Sequence, residues 1–360
     1  MMSPSSSQDF HEYFRSALKV MEPARARALA RDYTIAEKRR RAVSAAHGVP
    51  IPRSLAISVT TRCQLSCPGC PSTVTDPTRR ELDTSELRTL IADARAAGVY
   101  LFFFLGGEPL LRNDLLEMIT EAQDAFFSIY SNGLMLDAKL AAALAKLRNV
   151  VFMLSIEGFR ESTDRWRGAG TYDMVLDRMA LLARHGALFG YSSTVTRLNY
   201  EEVVSERFVA TMREAGCRVA YYSSYMPVGE NAHREFPLTR AERRSFGERI
   251  RELERIFDLA IINENIDTDR CTGGSEYLHI SPYGDAEPCP AIHLATHNVR
   301  QHSLVEIMKG RIMEDMRRIA LSLSKTGENC VVRCGLDRRL EKHCGFHVWG
   351  KEKCERVAAA

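Results

Sequence analysis

Apolar residues recur along this chain in short runs, separated by longer stretches with helical spacing. Leu55, Ile57 and Val59 alternate with polar or small residues, the period of a strand. The same reading predicts strands over 54–60, 100–105, 126–130, 149–155, 188–195 and 219–225. Helices are predicted between and after them, over 84–97, 113–124, 137–147, 171–185, 200–215 and 239–259. Such alternation implies a parallel sheet with helices outside it, an α/β fold. Upstream, Phe10 to His47 reads as helical with an interruption near Pro23, and Gly48-Val49-Pro50-Ile51-Pro52 ends it. Ligands of α/β folds gather at the carboxyl ends of the strands, so those ends are where chemistry is expected.

Directly after the first predicted strand stands Thr61-Arg62-Cys63-Gln64-Leu65-Ser66-Cys67-Pro68-Gly69-Cys70. Pro68 and Gly69 suit a tight loop. Three close thiolates without a nearby fourth suit a [4Fe–4S] cluster with one iron left open, since such clusters normally take four cysteines. A structural zinc site needs four ligands, and the nearest histidines, His11 and His47, lie upstream in the helical segment. Zinc stays open as the alternative. Disulfides are not expected without a secretory signal.

Later strand ends carry further punctuation. Leu101 to Leu105 runs into Gly106-Gly107-Glu108-Pro109, Ile129-Tyr130 into Ser131-Asn132-Gly133, and Val150 to Leu154 into Ser155-Ile156-Glu157-Gly158. Together with the cysteine run, these motifs resemble the radical S-adenosylmethionine (radical SAM) superfamily over roughly residues 54 to 230. The resemblance implies a partial (β/α)6 TIM-like barrel. It also implies that Cys63, Cys67 and Cys70 hold a [4Fe–4S] cluster whose open iron binds SAM. An electron from a low-potential donor would cleave SAM to methionine and a 5′-deoxyadenosyl radical, which takes a hydrogen atom from the substrate. Gly106, Gly107, Glu108 and Pro109 are then expected at the SAM amino group, Ser131 and Asn132 near its ribose, and Ser155 and Glu157 among its polar contacts. Arg167 suits the SAM carboxylate as a planar bidentate partner, with a surface salt bridge as the plain alternative for it and for Arg165. Thr194, Thr196 and Asn199 end the fifth strand, where pocket lining and turn capping are equally open. Met226-Pro227-Val228-Gly229, after the sixth strand, is a candidate neighbour of adenine. Cys217 has no nearby cysteine and reads as buried structure.

Beyond Asp269 the chain is cysteine-rich: Cys271, Cys289, Cys330, Cys334, Cys344 and Cys354. Cys271, Gly284 and Cys289 resemble the opening of the SPASM/twitch extension, and Ser303 to Ile307 resembles the short helix that follows it. The last four cysteines depart from that pattern. The resemblance implies a C-terminal cysteine-rich auxiliary-cluster region holding an auxiliary [4Fe–4S] cluster, with these six as candidate ligands. A Cys/His zinc site using His343 or His347 stays open. The division expected is therefore a helical basic extension over 1–53, a radical SAM core over 54–268 and an iron–sulfur region over 269–360.

Composition narrows the partners. The chain has 360 residues with 45% hydrophobic and 26% charged, ordinary for a soluble globular protein. No apolar stretch approaches the ~20 residues of a membrane span, so the chain is not expected to be transmembrane and reads as cytoplasmic. A net charge of +3 argues against a nucleic-acid surface. Residues 1–53 nevertheless carry ten Lys/Arg against five Asp/Glu, with Lys38-Arg39-Arg40-Arg41 at the centre. A solvated helix face is the simple reading of that run; contact with an acidic partner or anionic lipid is the other. The expected function is radical SAM chemistry on a peptide, with a small molecule or lipid as the alternative substrate. An iron–sulfur electron carrier or scaffold is the non-enzymatic alternative, against which the GGEP motif speaks.

Overall fold

The computed structural model describes residues 14, 18–264, 266, 271–324 and 330. Strands β1 (Ser54–Ser58), β2 (Leu101–Leu105), β3 (Phe126–Ser131), β4 (Val150–Ser155), β5 (Phe189–Val195) and β6 (Val219–Ser224) fall within a residue or two of their predicted bounds. All six are parallel, each paired with its predecessor. Strands β1 to β4 are buried on both faces nearly throughout, as a parallel sheet covered on both sides requires.

The sheet is larger than six strands. A seventh, β7 (Ala260–Glu264), adds parallel to β6; β8 (Tyr277–Ile280) adds parallel to the free edge of β1; and β9 (Ala286–Glu287) closes antiparallel on β8. The order is β7-β6-β5-β4-β3-β2-β1-β8-β9, a curled parallel half-barrel. Ala260-Ile261-Ile262 is too short a run to stand out after a helix, which is why the sixth unit looked like the last. Through β8, the segment beyond Asp269 is hydrogen-bonded into the barrel at its first strand, Ser54 to Ile57 against Tyr277 to Ile280.

Helices α1 (Pro23–His47), α2 (Thr84–Ala96), α3 (Leu115–Glu121), α4 (Ala138–Lys146), α5 (Arg160–Arg167) and α6 (Thr171–His185) are followed by α7 (Tyr200–Val203), α8 (Glu206–Glu214), α9 (Arg240–Ile256), α10 (Leu304–Lys309) and α11 (Arg311–Ser324). The single helix expected over 200–215 is two, because the Ser205 hydroxyl caps a new one by accepting from Phe208 N. Helix α5 escaped sequence reading because Arg-Glu-Ser-Thr-Asp-Arg-Trp-Arg has no apolar period.

Two buried layers flank the sheet. The outer one joins Leu55, Ile57, Phe102, Phe104, Phe127 and Phe152 to the helices. The inner one, with Ala56, Phe103, Phe126, Val151 and Met153, is covered by Phe14, Leu29 and Tyr33 from the N-terminal segment. Helix α1 is fixed there by Tyr100 Oη donating to Leu29 O at 3.0 Å and by Arg25 donating to Arg148 O and Val150 O at 2.6 and 3.0 Å. Within the basic run Lys38, Arg39 and Arg41 are exposed, as a solvated face expects, whereas Arg40 is half-buried. Arg40 binds Glu37 on both carboxylate oxygens at 2.8 Å and donates to Ile51 O, Arg41 also holds Glu37, and Arg39 reaches Arg95 O. Among the described residues no helix is long and apolar enough to cross a membrane.

Candidate active site

At the carboxyl end of β1 the chain turns into the cysteine loop, and its own contacts shape that loop. Glu81 accepts from Thr61 N at 2.7 Å and from the Thr60 and Thr61 hydroxyls at 3.0 and 2.6 Å. Gly107 N donates to Thr60 O at 2.8 Å and Glu108 N to Arg62 O at 2.7 Å. A Cβ on Gly107 would lie 2.1 Å from Arg62 O, and one on Gly106, at φ +121°, would lie 2.5 Å from Thr60 O. These glycines are therefore required by the chain's own backbone, which passes too close for any side chain.

Cys63, Cys67 and Cys70 share this loop. Burial pushes the Cys67 thiol up to about 11; Arg167 opposes that, while Cys70, Glu157 and Cys63 add to it. Burial likewise raises Cys63, with Glu108 and Cys70 adding. Two thiols raised in this way gain from a bound metal centre, which deprotonates them and supplies the missing positive charge. Among the described residues no three His, Cys, Asp or Glu side chains close around a single ion. A four-iron cluster asks for thiols at its corners instead of around a point. The donor set thus fits the cluster, with the three cysteines to hold it.

Beside the loop lies a cavity of about 400 Å³, within the size range of cofactor sites. Its wall includes all three cysteines and Gly106, Gly107, Glu108, Ser131, Asn132, Ser155 and Arg167. Two of the residues expected at SAM stand behind this wall. Pro109 is buried in a short 3-10 turn, and Glu157 holds Arg167 from outside. Glu108 is 1% exposed and braces the ends of β2 and β3. It accepts from Leu110 N at 3.0 Å, Ser131 Oγ at 2.7 Å and Asn132 N at 2.8 Å. Burial raises its carboxyl in spite of those bonds. A carboxylate offers about four lone-pair sites, so capacity remains for a donor arriving from the cavity. Asn132 Nδ2 reaches Gln64 Oε1 at 3.2 Å and Cys63 Sγ at 3.8 Å. Arg167 forms an ion pair with the buried Glu157 through Nε at 3.1 Å and through Nη2, and Thr194 N donates to the other Glu157 oxygen at 2.7 Å. Burial pushes the Glu157 carboxyl up, against the pull of Arg167. Arg165 lies outside the site, paired on the surface with Glu161. Thr196 and Asn199 cap their own turn, with Asn199 Oδ1 accepting from Thr196 N at 2.8 Å. Cys217 is buried against Met179, its Sγ 3.8 Å from Sδ.

A second cavity, about 340 Å³, extends from the same loop across the barrel mouth. Cys67 and Cys70 lie on one side and Cys271, Cys289 and Cys330 on the other. Burial raises the Cys289 thiol well above its ordinary value, with Cys271 and Cys330 adding, so these three sit together as well. Cys334, Cys344 and Cys354 lie outside the described residues. Met226 lines this cavity, as do Trp166, Tyr130, Tyr221 and Glu264, none of which sequence reading placed there. Glu264 ends β7, the strand that was missed; the acid two residues after Ala260-Ile261-Ile262 was the available signal.

Residues 57–205 match the family model described as the Radical SAM superfamily. They form a radical SAM domain. Domains of this family work with a [4Fe–4S] cluster and SAM, and the cysteine loop with its adjoining cavity lies inside the matched span or at its mouth. Over 286 residues the chain is 29% identical to the PqqA peptide cyclase of Xanthomonas axonopodis pv. citri (strain 306), covering 72% of this chain and 74% of that one. It is 28% identical over 269 residues to the mycofactocin maturase MftC of Mycobacterium ulcerans (strain Agy99), covering 69% and 71%. The fold is similar to that of Streptococcus suis SuiB bound to its precursor peptide SuiA, with a TM-score of 0.66 at 16% identity, covering 83% of this chain and 72% of that chain. The alignments with both relatives are longer than the 57–205 span matched by the family model.

Proposed function

We propose that this radical SAM enzyme modifies a peptide held in the cavity between its two cysteine groups. One observation carries the reading: Cys67 and Cys70 line the same cavity of about 340 Å³ as Cys271, Cys289 and Cys330. The PqqA peptide cyclases, whose name gives a peptide substrate, support the choice of substrate class. In this reading Cys63, Cys67 and Cys70 hold the cluster that binds SAM, and Cys271, Cys289 and Cys330 contribute to an auxiliary cluster. When bound, the first cluster and SAM supply one-electron cleavage of SAM and a radical able to take hydrogen from carbon.

The chain's own residues do the rest. Glu108 keeps a buried carboxylate at the SAM cavity while fixing Ser131 and Asn132. Glu157 holds Arg167 at the wall beside Cys67, leaving the guanidinium positioned for a carboxylate. Phe103, Leu105, Trp166 and Met226 make part of the cavity wall apolar. Anaerobically reconstituted, reduced protein should release 5′-deoxyadenosine from SAM, and Cys67→Ala should abolish that release while Cys217→Ala leaves it intact. Undiminished deoxyadenosine from Cys67→Ala would sink the reading.

A further inference from the structure

Glu264 stands at the end of β7 and faces the cavity between the two cysteine groups. The residue is half-buried and lines the cavity. One oxygen, Oε2, accepts from the Tyr221 hydroxyl. Among the described residues no arginine, lysine or histidine pairs with this carboxyl, and burial alone pushes it up to about 7. The other charged side chain on the described cavity wall is Arg167, already paired with Glu157. Among the described residues the wall therefore presents one carboxyl group with open lone pairs and no cation to match it.

That arrangement selects among substrate groups. A carboxylate or phosphate entering here meets like charge. An aliphatic side chain leaves Glu264 desolvated and unpaired, an arrangement that is costly in low dielectric. A protonated amine supplies the missing cation and makes a charge-assisted hydrogen bond, stronger than a neutral one. The apolar wall formed by Phe103, Leu105 and Ile292 suits the methylene stem of such a group. We propose that Glu264 anchors a protonated amine of the substrate, of the kind a lysine side chain carries, in the cavity between the two cysteine groups. The proposal rests on the reading of that cavity as the substrate site and adds which group of the substrate enters it.

The test is equilibrium binding by saturation-transfer NMR to anaerobically reconstituted protein with SAM. The probes are acetyl-Gly-Lys-Gly-amide and its norleucine and glutamate counterparts. Wild type should bind the lysine peptide on the order of tenfold more tightly than the norleucine one, about 1.4 kcal/mol. Glu264→Gln should erase that preference, and Glu264→Asp, which keeps the charge, should retain it. A wild type that binds lysine no better than norleucine, or an equal preference in Glu264→Gln, overturns the proposal. So does the absence of binding by the lysine peptide. If Glu264→Gln fails to fold, the wild-type and Glu264→Asp preferences decide the matter between them. Deoxyadenosine release by the same wild-type samples is read separately. Its loss would refute radical SAM chemistry, whereas a missing lysine preference would refute only the anchor.

Discussion

Replacing Arg167 by Met probes the ion pair that holds the SAM-side wall in place. Glu157 is buried, with its side chain 1% exposed, and Arg167 is 12% exposed. Met keeps most of the volume but removes the cation, leaving Glu157 with only Thr194 N as a donor. Removing one partner of a buried pair destabilises by about 3–5 kcal/mol. Protonation of the stranded carboxyl limits the loss, and this fixes its pH dependence. Without Arg167, burial holds the folded-state carboxyl above its unfolded value. A group raised in this way favours the folded state at low pH, and that contribution disappears as pH rises through its folded value. The deficit of Arg167→Met relative to wild type should therefore grow from the acid end of the folded range to neutral pH, by up to ~1.4 kcal/mol per unit. Urea unfolding of the apoprotein at those two ends measures it. The double variant Glu157→Gln/Arg167→Met should recover part of the stability, because no buried charge remains. Equal stability of Arg167→Met and wild type at the high end, or a deficit that shrinks with rising pH, would refute the argument.

Glu37 gives the opposite sign. Burial works to raise its carboxyl, but the Arg40 and Arg41 hydrogen bonds and the charge of Arg53 outweigh it and hold it down at about 2. Its stabilisation is fully present above the ordinary carboxylate range and is lost as pH falls toward 2; Glu37→Gln should flatten the acid limb of the stability curve and cost on the order of 2 kcal/mol at neutral pH. In Glu108→Gln an amide nitrogen must face Ser131 or a backbone N–H, since both carboxylate oxygens already accept. Stability should fall by about 1–3 kcal/mol even without SAM, measurable by urea titration, in addition to any loss of SAM affinity.

The barrel was legible because parallel strands buried on both faces are written as short apolar runs, and their polar endings fall where the chain leaves the core. Ser131, Asn132, Ser155 and Arg167 were accordingly found together at one cavity. What stayed hidden depends on tertiary placement. Nothing local in Glu81 signals that it ties down Thr60 and Thr61. The glycines of the GGEP motif read as room for a ligand, whereas the nearest atoms they must clear belong to Thr60 and Arg62. The basic run read most simply as a solvated face, which Lys38, Arg39 and Arg41 present; only Arg40 turns inward, to Glu37 and Ile51. Strand β7 was lost to its brevity, and with it Glu264.

The central claim is that two separate cysteine groups serve one reaction space, and iron content tests it most directly. Anaerobically reconstituted wild type should hold about eight irons if each group carries a four-iron cluster. The Cys63→Ala/Cys67→Ala/Cys70→Ala variant should lose about half, keep an auxiliary cluster and release no deoxyadenosine from SAM. A triple variant that retains all its iron, or a wild type that fills with zinc instead, would contradict the account.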